Sequence, residues 1–273
     1  MVIKTKVRKA LILTVWILSF GTAFVLLSFV NQKQLELRCD HVEINIDDAV
    51  AHEFIDQKDI LELVNSKGKV VGKPLGAINT MLLEKIILTN PFVSRAEVYS
   101  SIDGNLHVDI WQRDPVVRII NMHDEQFYID REGKFMPVSD HYTPPAIVAN
   151  GYIFNAYAEM KVVEAVAVTD TLQTDSLQVP RMINQVYALA TFLEADTFWS
   201  ANTEQIYVNE QQELEVIPRV GNHRILIGDT TDLNNKFSRL MTFYKQGLNK
   251  TGWNNYNVIN LKFRDQVVCS KIK

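Results

Sequence analysis

The feature that most constrains this chain is the stretch from Ala10 to Val30, 21 residues without a charge. As a helix it is about 31 Å long, against a hydrocarbon core of roughly 30 Å. A bilayer offers backbone groups no water, so such a run satisfies itself as a continuous helix, and Gly21 is its only weakening residue. Lys4, Lys6, Arg8 and Lys9 precede the run, and only Lys33 and Arg38 follow it closely. Because cytoplasmic flanks carry the excess of Lys and Arg, residues 1–9 are expected in the cytoplasm and the bulk outside it, a single-pass type II arrangement. Gly21-Thr22-Ala23 has the small residues of a cleavage site. Phe24 to Val30 stays apolar where a cleavage region turns polar, so an uncleaved anchor over residues 10–30 fits better.

The formal charge is −4, and taking away the four cations of the tail leaves −8 beyond it. That excess argues against a nucleic-acid partner, since neutralising phosphates needs a basic face. Cys39 and Cys269 are the only cysteines. They make no disulfide framework and are read as free thiols rather than as one long-range bridge.

Val42, Ile44 and Ile46 alternate with Glu43, Asn45 and Asp47, the period of a half-buried strand. Asp56 then has the place of an N-cap, with Ile60, Leu63 and Val64 on one helical face and Gly68 at the helix end. Asn79 is a second N-cap, followed by Leu82, Leu83, Ile86 and Ile87, with Pro91 closing the helix. Ala96 and Val98, then Leu106, Val108 and Ile110, alternate as two strands around a hairpin turn at Asp103-Gly104. The order strand, helix, helix, strand, strand makes one small domain. Pro115 disfavours a central strand, so a boundary is expected near Arg113 to Pro115.

Short strands are expected at Val116 to Ile120, Phe127 to Ile129 and Lys134 to Met136, followed by a loop from Pro137 to Pro145. Ile183, Val186, Tyr187, Ala190 and Leu193 form a helical stripe after Pro180. Strand patterns return at Gln205 to Val208, Leu214 to Ile217 and Arg224 to Ile227. Leu233, Phe237, Leu240, Met241 and Tyr244 mark an amphipathic helix closed by Gly247. In the last strand Ile259, Leu261 and Phe263 face one way and Asn260, Lys262 and Arg264 the other. The fold class is α+β. Val168 to Gln178 reads as a polar loop ordered by a partner.

Asn90-Pro91-Phe92-Val93 with Ala96 and Val98, the hairpin, and Arg113-Asp114-Pro115 resemble a POTRA domain, placed at residues 40–113. With the anchor, Asp130 to Phe135, and Tyr256 to Val268, the chain resembles the bacterial cell-division family FtsQ, also called DivIB, with its β-rich domain at residues 114–273. Two departures are visible. Gln112 replaces an acid before the junction arginine, and Ile259-Asn260-Leu261-Lys262-Phe263 replaces Ile-Asp-Leu-Arg-Phe, which puts side-chain salt bridges there in doubt.

The resemblance implies a non-enzymatic scaffold of the inner membrane, enriched at the division septum. Its exported bulk is periplasmic, and it gathers FtsB and FtsL and through them the septal peptidoglycan synthase, with no cofactor. Periodicity alone leaves the last strand open as edge or interior. The resemblance favours an edge that accepts a partner strand, formed by Tyr256, Asn257, Val258, Ile259, Asn260, Leu261, Lys262, Phe263 and Arg264. Tyr256 is then an aromatic anchor, and Lys262 and Arg264 face acidic partner side chains. The first domain either contributes an edge near Val42 to Ile46 or the Arg95 to Arg113 hairpin, or acts as a spacer.

Two other functions fit parts of the chain. Ser66-Lys67-Gly68-Lys69, Ser200-Ala201-Asn202 and Lys250-Thr251-Gly252 match the three strings of penicillin-binding transpeptidases. Their chemistry needs the serine at the start of a buried helix, and Ser66 is expected at a helix end, so the match is read as accidental. An export or outer-membrane assembly chaperone usually carries several POTRA domains or a long barrel, and the second domain is too short in strands for one. The six histidines have no metal-ligand spacing.

Overall fold

The computed structural model describes residues 15–25, 37–47, 53–161 and 179–271. Residues 15–25 are helical, with Val15, Trp16, Phe20 and Phe24 exposed. Among the described residues no helix is long and apolar enough to cross a membrane. The tail 1–9, residues 10–14 and 26–30 of the expected span, and the expected loop from Val168 to Gln178 lie outside the described residues. Contacts divide the chain into two compact units, one reaching Gln112 and one running from Arg113.

The first unit runs β1 (Val42–Ile46), α1 (Gln57–Asn65), α2 (Thr80–Ile87), β2 (Val93–Ser100) and β3 (Leu106–Gln112). Its sheet has the order β1-β3-β2, with β1 parallel and β2 antiparallel to β3. Asp56 caps α1 by accepting from Asp59 N at 2.8 Å, and the Asp59 carboxylate accepts from Asp56 N in return. This reciprocal capping satisfies donors that the first helical turn leaves over. Asn79 caps α2 through Leu82 N at 3.0 Å. Ile60, Val64, Leu83 and Ile87 close over Val98, Val108 and Ile110 in the core.

Three expectations need correction. Helix α1 ends at Asn65, with Ser66 rather than Gly68 as its cap. On α2, Leu82 is exposed, because a helix of eight residues turns only one narrow stripe toward the sheet. The hairpin turn spans Ser101 to Asn105, joined by Ser101 N to Asn105 O at 3.0 Å, and is not a two-residue turn.

The second unit is one nine-stranded sheet with helices against it. Its strands are β4 (Pro115–Ile120), β5 (Gln126–Asp130), β6 (Phe135–Pro137), β7 (Ile147–Gly151), β8 (Thr203–Val208), β9 (Leu214–Pro218), β10 (Arg224–Gly228), β11 (Tyr256–Asn260) and β12 (Val268–Lys271). They lie in the order β12-β11-β10-β9-β8-β7-β4-β5-β6. Register places Phe127, Ile119, Ala149, Ile206, Val216, Ile225 and Ile259 in one row across seven strands. All seven are buried against α3 (Arg181–Glu194), α4 (Thr197–Asn202) and α5 (Leu233–Phe243), through Val186, Leu189, Trp199, Phe237 and Leu240. Alternate residues leave this row for the opposite face, the period-two consequence of the pleat.

Four features here depart from expectation. Strand β7 lies where no element was expected, parallel to both β4 and β8 at the middle of the sheet. Pro115 begins the interior strand β4, which costs little because a first residue gives up only a terminal ladder donor. Helix α5 is not closed by Gly247. It passes into a π-helical turn at Tyr244–Leu248 and a further turn to Thr251, and Gly252 ends it at φ 93°, a backbone state that glycine adopts without strain. Finally, the strand at Tyr256 is not the last, because β12 follows it.

Candidate functional site

The expected partner edge, Tyr256 to Arg264, is not an edge. Strand β11 pairs in parallel with β10, Arg224 opposite Val258 and Leu226 opposite Asn260. On its other side it pairs antiparallel with β12, Ile259 opposite Cys269 and Asn260 opposite Val268. Both rows of β11 backbone groups are therefore used, and a partner strand has no access to them. The physical reason lies beyond the strand itself: the chain turns after Phe263 and returns to cover β11.

The individual side chains divide accordingly. Ile259 and Leu261 are fully buried, and Leu261 N donates to Leu226 O at 2.9 Å. Tyr256, Val258 and Asn260 are half-buried, with the Tyr256 ring edge-on to Phe243 at 5.9 Å. Asn257 is exposed. Asn260 Oδ1 accepts from Lys262 N at 2.9 Å, turning the chain out of the strand, so the regular alternation stops at Leu261. Lys262 pairs with Glu213 of the same unit. Phe263 is 46% exposed and the Arg264 side chain extends into solvent beside Asp265.

The open edge of the sheet is β12. It has four residues, with Val268, Ser270 and Lys271 exposed and Cys269 half-buried. Its outer backbone groups have no partner among the described residues. Cys39 and Cys269 are both free thiols, and burial pushes each thiol pKa up, which keeps them protonated and poorly reactive. At the opposite edge, β6 has three residues, two of them buried, and ends on Pro137, which has no N–H to donate. The small sheet is blunted at both edges by side chains: Gln57 Nε2 donates to Ile44 O at 3.2 Å, and Val98 N donates to Glu84 Oε1 at 2.9 Å. Satisfying edge groups internally is a standard defence against strand pairing, and β12 lacks it.

Arg239 holds β12 in place and was invisible to sequence reasoning. From α5 its Nη1 donates to Phe263 O at 2.6 Å and Gln266 O at 2.8 Å, and its Nη2 to Leu261 O at 3.3 Å. One guanidinium thus gathers three carbonyls of the β11–β12 connection, a geometry suited to its planar fork. In the same unit, His223 is buried with Nε2 3.0 Å from the Tyr244 hydroxyl, and burial lowers its pKa. Burial also raises the Tyr244 phenol far above its usual range, so this pair is neutral at physiological pH.

The residues of the transpeptidase strings are not arranged for catalysis. Ser66 caps the C-terminal end of α1 instead of starting a helix, and Lys250 and Thr251 lie in a helical turn, not on a strand. Among the described residues no three or more His, Cys, Asp or Glu side chains form a metal-binding group.

Residues 37–111 match the POTRA-like domain. Residues 114–270, more than half of the chain, match the FtsQ/DivIB, C-terminal related family. The chain belongs to the FtsQ/DivIB family. The resemblance drawn from Asn90 to Val93, the domain junction and the last strands is upheld by this match. No curated protein matches the chain. As an FtsQ/DivIB member it combines a POTRA-like domain with a β-rich one and falls among membrane-associated cell-division proteins. Its two departures from the family pattern have local compensations. Arg113, which follows Gln112, pairs at 2.5 Å with the fully buried Asp130, whose Oδ1 also accepts from Glu132 N and Lys134 N. Asn260 spends its side chain on the turn at Lys262.

Proposed function

We propose that this FtsQ/DivIB protein is a non-enzymatic division scaffold that captures FtsB- and FtsL-like partners by adding a strand to the outer edge of β12. Through them it connects to septal peptidoglycan synthesis. Residues 10–30 thread the inner membrane once, leaving residues 1–9 in the cytoplasm and carrying a POTRA-like domain at 40–113 and a β-rich domain at 114–273 in the periplasm. The 21-residue uncharged run and the four cations before it support that topology.

The observation that carries the reading is the contrast between edges. Three are capped, short or ended by proline, whereas β12 ends the large sheet with its outer row unpaired. Main-chain pairing supplies affinity there, and the exposed Phe263, Arg264 and Val268 supply side-chain contacts. The paired strand is β12 in place of β11, with Tyr256 to Asn260 acting as its support.

Neighbouring prolines test this. Consecutive N–H groups of a strand point to opposite sides, so Cys269→Pro and Ser270→Pro remove one donor to β11 and one outward donor. One variant should lose thermal stability and the other should lose FtsB-like partner co-purification with an unchanged melt. If both variants keep full partner capture, strand addition at β12 is wrong.

A further inference from the structure

The second unit contains a cleft of about 510 Å³ that the division reading does not use. It opens where the start of α3, the turn between β8 and β9, and the segments after β10 and β11 meet. It shares no residue with β12.

Its charge is unbalanced toward cations, with Arg181, Lys236 and Lys262 against Glu213 and Asp229. Each carboxylate in the lining already faces a cation. Glu213 receives Lys262, and Asp229 receives Lys236 Nζ at 3.0 Å together with the Thr231 hydroxyl and Thr231 N. The Thr231 hydrogen bond, ahead of Lys236, holds the Asp229 carboxyl down at about 2, so it is ionised. Lys236 is only 7% exposed, and both of its hydrogen bonds go to Asp229, to the backbone oxygen at 2.9 Å and to Oδ1. An ammonium has three N–H donors, so one of them is left for the cleft. Arg181, also in the lining, has no ion-pair partner among the described residues. It begins a 14-residue helix whose N-cap, Pro180, provides no side-chain acceptor for the first amides. A buried cation with an unused donor, a guanidinium without an ion pair among the described residues and an uncapped helix start thus converge on one space in which three cations, Arg181, Lys236 and Lys262, face two carboxylates, Glu213 and Asp229.

We infer that this cleft binds an acidic peptide, with a carboxylate seated between Arg181, Lys236 and the amides at the start of α3. The rest of the lining fits a peptide better than a phosphate compound. Gln185 and Gln211 carry side-chain amides that can pair with a peptide backbone, and Met182 and Ile227 give an apolar floor for a small side chain. No glycine-rich loop wraps the space with backbone donors as phosphate groups require.

Fluorescence anisotropy of the full chain in detergent tests the inference, with a labelled peptide of alternating glutamate and alanine and a free C-terminus. The peptide should bind, and its glutamine counterpart with an amidated C-terminus should bind about tenfold more weakly or worse, the loss expected for one charge-assisted contact. Arg181→Glu, at the exposed start of α3, and Gln185→Glu, half-buried on the same helix, should each weaken the acidic peptide by a similar factor with an unchanged thermal melt. Inorganic phosphate in large excess should not displace it. Equal binding of the two peptides, no binding of either, indifference to both variants, or full displacement by phosphate would each overturn the inference. Because the readout does not involve β12, a failure of strand addition leaves this result interpretable.

Discussion

Replacing Arg239 by alanine should loosen the outer edge of the large sheet without unfolding the rest. The side chain gives two short hydrogen bonds, to Phe263 O and Gln266 O, and a longer one to Leu261 O. Bonds from charged donors are worth about 1.5–3 kcal/mol each when enclosed. The two short ones here are exposed to water, which takes over much of their value, so a combined loss of about 1.5 kcal/mol is the working figure. If the effect were global, it would lower the melting temperature by about 3–6 °C for a unit of this size. The other hydrogen bond of Arg239, Nε to Asn235 O at 3.4 Å, stays within α5, so the loss should concentrate at the β11–β12 connection. Amide hydrogen exchange in Val268–Lys271 should speed up by about tenfold, while amides of β8 and β9 keep their rates. Arg239→Lys should recover less than half of the protection, since an ammonium cannot reproduce the fork. Unchanged exchange at β12, or uniform acceleration across all strands, would refute the assignment of Arg239 as the clasp of this edge.

Other perturbations probe the frame that carries the edge. Gly151 ends the interior strand β7 at φ 98°, and a Cβ there would lie 2.2 Å from Val208 O, so Gly151→Ala should cost about 3 kcal/mol and lower the melting temperature by about 6–12 °C. His223 has a folded pKa below its ordinary 6.5, so the unfolded chain takes up its proton first. Its contribution to stability is therefore complete above about pH 6.5 and is lost as the pH falls from there through the lowered folded value. Melting temperatures measured between neutral and acidic pH should drop more for the natural protein than for His223→Phe, and parallel curves would show that His223 is not the group responsible.

Features governed by local rules were legible in the sequence. Ile44 and Ile46 alternate with polar neighbours because one face of β1 is covered, and Asp56 and Asn79 stand where helix donors need an acceptor. Strand order is not a local property, and there the reading failed. Residues Ile147–Gly151 form the interior strand β7, yet Asn150 and Gly151 look like a turn, and a strand flanked in parallel on both sides has no adjacent hairpin partner to announce it. Ile259 and Leu261 correctly marked a strand with a buried face. The same burial fits an edge and an interior position, so the covering by β12 could not be inferred from them. Strand β12 itself turns only the half-buried Cys269 toward the row of core residues, too little periodicity to register. Arg239 resembles any other polar residue on the outer side of an amphipathic helix, and only the returning connection gives it a role.

The central claim is that the outer row of β12 receives a partner strand. Hydrogen exchange of the full chain, measured with and without an FtsB-like partner, tests it most directly. The account predicts that the partner slows exchange at alternate amides within Val268–Lys271, those pointing away from β11, while the blunted edges at β1, β2 and β6 keep their rates. Protection that appears at one of those other edges while β12 exchanges as before would contradict it.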